Sequence, residues 1–177
     1  MKKIFKEIIP TLQLIAAVIL GIIVIPLGLI WAFGKPFYDN FKSKRSPKAA
    51  FIWFLRYWVN ILIQIVYVIS YFLEKLVIIL KMIFFEFRVW AGFKYLEHTI
   101  AIVIDLFGNV TSGEFIEDCV TTKENTLYGN GKYTISAATG YLLIKNFLNK
   151  TGLWFSSVLD KFEEDHCRKA YLYELER

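Results

Sequence analysis

Asp165, His166 and Cys167 stand side by side near the C-terminus, putting a carboxylate, an imidazole and a thiol in consecutive positions. A histidine can turn a neighbouring thiol into a nucleophile only if the two side chains face each other, and adjacent residues on a helix diverge by about 100°. His166 and Cys167 therefore cannot act on one another as a dyad. If residues 153 to 171 form one helix, His166 shares an apolar face with Phe155, Leu159, Phe162 and Ala170. A packed, hydrogen-bonded histidine is the reading that face favours.

Other chemistries fare no better. His98, Cys119, His166 and Cys167 supply two imidazoles and two thiols, the ligand types of a zinc site, but none of the compact Cys-x-x-Cys or His-x-x-x-His spacings is present. No metal or other cofactor is expected. There is no phosphate-binding glycine loop, no Gly-x-Ser-x-Gly elbow and no His-Glu-x-x-His helix. The acidic groups 117–118 and 163–165 read as solvated surface. Asp105 is different, because it interrupts the apolar stretch "AIVIDLFGN" and needs a partner such as Ser136 or Arg168 once buried. Such a pairing would make it a structural bolt before it made it a catalyst. Asp105, His166 and Cys167 remain the residues an enzymatic alternative would have to use.

The elements that position these residues begin with an excess of apolar side chains. Of 177 residues, 56% are hydrophobic and 18% aromatic, above the usual share for a soluble domain. The surplus is concentrated. No charge occurs between Ile8 and Gly34, and a second apolar run extends from Tyr57 to Leu73. About 20 apolar helical residues cross a bilayer core, so both runs read as transmembrane helices. The first is too long for a signal-peptide core and is read as a retained anchor.

Charge supports the same reading. Residues 1 to 56 carry nine Lys or Arg against Glu7 and Asp39, whereas the remainder is slightly acidic. The basic residues flank the apolar runs, and Lys42, Lys44, Arg45 and Lys48 in the loop 35–48 are placed to meet anionic lipid head groups. Five basic residues in this loop against three before the first run put the loop in the cytoplasm. Nucleic acid is excluded as a partner, since no groove-reading element accompanies the basic loop.

Ala17, Gly21 and Gly28 line one face of the first run, along which another helix can approach closely. The second run is the expected neighbour, with self-association the alternative. Asn60 and Gln64, four apart, share a face of the second run and seek a partner such as Gln13. Residues 74–97 are densely apolar but interrupted by charge, which fits an amphipathic surface helix or a third span. From 98 onward a helix is predicted to stop at Gly108 and Asn109. A β-hairpin is predicted at the Gly-Asn-Gly of 129–131. A further helix is predicted with Ser136 as its N-cap and Gly152 at its close, then a last helix to the end.

The segments "IDLFGNVTSG" at 104–113, "YTISAATG" at 133–140, "WFSSVLDKF" at 154–162 and "DHCRKAY" at 165–171 together resemble a family of small tailed-phage and prophage proteins with a closing His-Cys-basic-Ala motif. The resemblance covers about residues 100–172 and implies a phage context without a reaction. It places Asp105, Asn109, Gly113, Thr134, Ile135, Ser136, Gly140, Asp160, Asp165, His166 and Cys167 on family positions. Tyr133 stands where that family has an acid, and Ala137 and Ala138 replace Ser-Arg. Relatives of this kind often have proline where Glu164 stands, which would break the last helix and make Asp165 the N-cap of a new one.

The expected protein is thus mainly α. It has two or three transmembrane helices and a small helical C-terminal unit carrying a β-hairpin, divided as 1–73, 74–97 and 98–177. Its expected place is a bacterial inner membrane, multi-pass. Its expected partners are the lipid bilayer and either further copies or another phage membrane protein, in a holin-like or membrane-tethered accessory role.

Overall fold

The computed structural model describes residues 2–43, 46–123, 126–161 and 163–176, with side chains from residue 11 onward except 12, 13 and 40. Lys44, Arg45, Phe162 and the Gln13 side chain lie outside the described residues. Three long helices come first: α1 (Lys2–Ser43), α2 (Pro47–Phe84) and α3 (Val89–Val120). Three short ones follow, α4 (Ile135–Ile144), α5 (Lys150–Leu159) and α6 (His166–Glu176). The chain is mainly helical, as expected.

α1 stays helical through Pro10, Pro26 and Pro36. α2 starts at Ser46, whose hydroxyl accepts from the Ala49 amide at 3.4 Å, with Pro47 in the first turn where its missing N–H costs nothing. A short turn holding Phe87 at a φ of 52° reverses the chain into α3. α1, α2 and α3 are each long and apolar enough to cross a membrane. The segment 74–97 is not a single element, because α2 continues to Phe84 and α3 starts afresh at Val89 and runs on past residue 98 to Val120.

α3 is the hub. α1 runs parallel to it, with Thr11 beside Glu97, Gly21 beside Ile104 and Lys35 beside Asp118. α2 runs antiparallel, its Ile61 and Val68 packing with Leu106 and Val110. The small-residue face of α1 therefore meets α3 and not α2. A methyl built on Gly21 would lie 3.1 Å from Ile104 Cγ2, and one on Gly28 would fall on the Ser112 backbone. Ser112 Oγ donates to the Val24 carbonyl at 2.7 Å, fixing this close approach.

Several local expectations are corrected. α3 does not stop at Gly108 and Asn109 but continues through both to Val120. Glycine weakens a helix interior by about 1 kcal/mol. Here it is retained because Ile135 lies against Gly108 and the Gly129 backbone lies on Gly113. No strand pairs into a hairpin among the described residues. The Gly-Asn-Gly loop is gathered instead onto the side chain of Asn109, and the one bridge joins Thr121 to Leu148. The N-cap of α4 is Thr134, whose hydroxyl accepts from the Ala137 amide at 3.0 Å, and Ser136 sits inside the first turn. Gly152 does not close that helix. It lies in the first turn of α5, whose N-cap is Asn149. The last helical region is broken between α5 and α6, so residues 153–171 are not one helix.

Candidate functional site

Asp105 projects from the middle of α3 toward the first turn of α4. Its Oδ1 accepts from the Ile135 amide at 3.0 Å and its Oδ2 from Ser136 Oγ at 3.1 Å. One orphan amide of a helix N-terminus, together with a hydroxyl of the same turn, is thereby satisfied by an acid on another helix, at the end where an acid is favoured. His166, the first residue of α6, brings Nε2 to 3.2 Å from the same Ser136 Oγ. Its Nδ1 lies 3.6 Å from Glu163 Oε2. A chain of polar atoms, Asp105 to Ser136 to His166 to Glu163, thus ties α3, α4 and α6 together. Ser136 is the expected bolt for Asp105. Arg168 is not, being paired on the surface with Asp165 at 3.8 Å.

The order of this chain decides its chemistry. A serine hydroxyl has one proton, and given to Asp105 it leaves Oγ an acceptor, so the imidazole comes to it as donor. A histidine that activates serine needs the reverse. The nearby amides are also engaged, Ala137 on Thr134 Oγ1 and Ala138 on the Thr134 carbonyl, leaving none of them for an oxyanion.

Cys167 is fully buried, and its amide donates to Asp160 Oδ1 at 3.3 Å. Asp160, and not Asp165, is therefore the carboxylate that receives an amide of the α6 first turn. Burial, only partly offset by Ser156, pushes the Cys167 thiol up to about 12, far from a thiolate. Its carbonyl lies against Gly140, where a methyl would collide with it. Partial burial works to raise Glu163, but the hydrogen bond and charge of Lys169, 3.0 Å away, together with His166, hold it below the usual glutamate range. Asp165 takes a φ of 61° and stays on the surface.

His98 lines a cleft beside this cluster, whereas Cys119 is exposed near the far end of α3. Among the described residues no three His, Cys, Asp or Glu side chains are grouped to hold a metal, so these two do not join His166 and Cys167 as ligands.

Asn109, one turn beyond Asp105, builds a second junction. Its amide nitrogen donates toward the carbonyls of Leu127, Asn130 and Tyr133 at 3.2, 3.1 and 2.8 Å, and its Oδ1 accepts from the Gly129 amide at 3.2 Å. Gln64 completes the clamp from α2, its Oε1 accepting from the Gly131 amide at 2.9 Å. Asn60 is exposed on the outer side of α2. Of the motif positions, Asp105, Ser136 and His166 meet at one junction, Asn109 and Gly113 at the second, and Gly140, Asp160 and Cys167 at a third. Glu163 was missed in sequence as part of the cluster, and nothing in its acidic run sets it apart from Glu164.

Two further groups bolt the long helices. Lys94 and Thr11 bind Glu97 at 3.0 and 3.2 Å. Lys35 pairs with Asp118 at 2.9 Å and Glu114 at 3.5 Å, and Trp31 Nε1 donates to Asp118 at 3.2 Å. Along α3, Glu97 and Glu114 are about 26 Å apart at 1.5 Å per residue, with Asp105 roughly midway.

The cleft, about 290 Å³ in volume, opens between α1 and α6 and is walled largely by apolar side chains, among them Ala17, Leu20, Val24, Ile102 and Phe155. Asp105, Ser136, His166, Glu163 and Lys169 form its polar side. No protein-family model, curated protein or solved structure matches this chain.

Proposed function

We propose that this is an integral membrane protein of phage type, resident in the inner membrane of the infected bacterium, which acts by binding a partner and not by catalysis. The observation that carries the membrane reading is the outer surface of α1 and α2. Side chains such as Ile22 and Ile30, each 70% exposed, and Phe41, 87% exposed, continue around both helices. An apolar surface of this extent is far beyond the patches that soluble monomers expose. The separation of the two charged groups along α3, about 26 Å, supports the same reading, being close to a hydrocarbon core of roughly 30 Å. The phage context rests on the resemblance of residues 100–172.

With three spans, the basic segment 35–48, which is the end of α1 and the start of α2 and not a long loop, lies on the same side as the Val120 end of α3, and its positive charge supports putting that side in the cytoplasm. A membrane-tethered accessory role fits better than a hole-forming one. Gly21 and Gly28, the face through which α1 could assemble with copies of itself, are already occupied by α3. The enzymatic alternative using Asp105, His166 and Cys167 finds no support in a cluster whose hydrogen bonds are turned inward.

The test is expression of the full chain in a bacterium, followed by alkaline carbonate extraction of membranes and measurement of membrane potential. Retention in the extracted membrane with the potential intact is the expected result. Release as a soluble monomer refutes the membrane reading, and collapse of the potential refutes the accessory role in favour of the lytic one.

A further inference from the structure

We infer that two copies of this chain pair within the membrane through the charged outer flank of α6 and the turn before it. The inference rests on the membrane reading above and adds a partner to it. Depth, charge balance and helix spacing carry it.

Asp105 lies eight residues from Glu97 and nine from Glu114, about 12 Å from either charged level of α3. Ser136 joins His166 to that carboxylate through contacts of 3.1 and 3.2 Å, so the start of α6 stands at the same mid-membrane depth. The Cys167 amide, donating to Asp160 at 3.3 Å, draws the preceding turn to the same place. Yet seven of the ten residues from Asp160 to Lys169 are charged. Arg168 and Asp165, paired at 3.8 Å, leave 49% and 50% of their side chains exposed, and Lys169 leaves 54%. Lys161 and Glu164 are exposed as well, with no ion-pair partner among the described residues. Charged groups at this depth turn toward protein or water and not toward lipid. A single chain in the bilayer leaves this flank facing hydrocarbon, at a cost that burial against a second polar surface removes.

The charge balance says which surface. Among the exposed residues of the flank, Lys161, Arg168 and Lys169 are basic and Glu164, Asp165 and Glu176 are acidic. A flank of one sign calls for a different protein of the opposite sign, whereas an evenly mixed one is complementary to itself about a two-fold axis. A second copy, inserted in the same bilayer with the same orientation, presents that surface at the same depth. The spacing along α6 suits the contact. Arg168, Leu172 and Leu175 recur at intervals of four and three, and both leucines are exposed, at 48% and 59%. An apolar strip edged by charge is the form that helix-pairing surfaces take. Two copies related in this way close on one another, which leaves no lumen and agrees with the accessory role.

The experiment uses the full chain in bacterial membranes and, after extraction, in mild detergent, where native mass spectrometry is expected to show dimers. With Cys119→Ser removing the exposed native thiol, Leu172→Cys is expected to cross-link between copies in intact membranes on treatment with a short bifunctional maleimide. Ile63→Cys, on the outer face of α2, is expected not to. Self-complementarity is tested by two variants that change exposed residues alone. Lys161→Glu with Arg168→Glu makes the flank acidic, and Glu164→Lys with Glu176→Lys makes it basic. Each variant by itself is expected to dimerise at least about tenfold more weakly than the native chain, and co-expression of the two to restore mixed dimers. Native-strength dimers of either variant alone overturn the inference, as does the absence of mixed dimers or cross-linking at Ile63→Cys in place of Leu172→Cys. A chain that resists carbonate extraction but is monomeric in membrane and detergent refutes the pairing alone. A chain released by carbonate refutes the membrane reading on which it rests.

Discussion

Replacing Asn109 by aspartate is the sharpest perturbation of the second junction, because it changes one group of one fully buried side chain. In the native protein the carboxamide NH₂ faces three carbonyls, and the opposite oxygen takes the Gly129 amide. Two protons are shared among three acceptors, so the side chain contributes about three effective bonds, and at about 1 kcal/mol net for each the clamp contributes about 3 kcal/mol. Asn109→Leu keeps the volume and forfeits that sum. Asn109→Asp does worse, since a buried carboxylate oxygen then faces three carbonyl oxygens, and its expected cost is about 4 kcal/mol or more. The assay is limited proteolysis of the 121–133 segment in detergent under conditions where cleavage follows local opening. There, 3 kcal/mol corresponds to a rise in cleavage rate of about a hundredfold. The ordering expected is wild type slowest, Asn109→Leu faster and Asn109→Asp fastest. If Asn109→Asp is cleaved no faster than wild type, the loop is not held by this side chain and the junction is wrongly assigned.

Gly28→Leu puts a side chain onto the Ser112 backbone and is expected to destabilise the α1–α3 pair by at least about 1–3 kcal/mol in a detergent unfolding titration. Gly34→Ala, at a position with open space around it, is expected to stabilise by about 0.5–1 kcal/mol. A water-soluble maleimide at pH 8 is expected to modify exposed Cys119 and to spare buried Cys167 until the protein is unfolded. Because Cys167 rises from 9.0 to about 12 on folding, the folded chain keeps a proton that the unfolded chain gives up. Stability should therefore fall as pH rises between these values, by about 1.4 kcal/mol per unit, and Cys167→Ala should remove that slope. Phe87→Gly is expected to stabilise the α2–α3 turn by about 1 kcal/mol, since a φ of 52° strains any residue with a Cβ, and chemical unfolding of the variant measures it.

The long helices were legible because hydropathy and length report directly on burial in an apolar medium, with no need to know the partner. What that signal could not supply was which helix packs on which. The small face of Ala17, Gly21 and Gly28 announces a close neighbour but does not say that it is α3, since the preference depends on the complementary notch at Ser112, 84 positions away from Gly28. Gly108 and Asn109 misled for a related reason. Their local preference is to end a helix, and tertiary contacts with Ile135 and the 127–133 loop override it. The Gly-Asn-Gly segment likewise has the composition of a hairpin turn, yet its polar backbone is satisfied by the Asn109 and Gln64 side chains. Asp105 was legible as an acid in need of a partner, and Ser136 as one of two candidates. His166 in the same junction was not, because its place depends on the break before α6, and the chain lacks the proline that would have advertised it.

The faces of α3 explain why the C-terminal unit is more than a tail hung on long apolar helices. Ile104 and Ser112 turn toward α1, and Leu106 and Val110 toward α2. Asp105 and Asn109, four residues apart and hence on one side, turn toward α4 and the loop before it. A helix occupied in three directions has no free polar face, which is why its sequence shows so little amphipathic pattern and why its neutral and acidic polar groups are spent on neighbours. The same economy argues against catalysis at Asp105 and Ser136. A reacting group must offer a substrate some bond that the protein has left unmade, and here the carboxylate and the hydroxyl are consumed in joining three segments of chain.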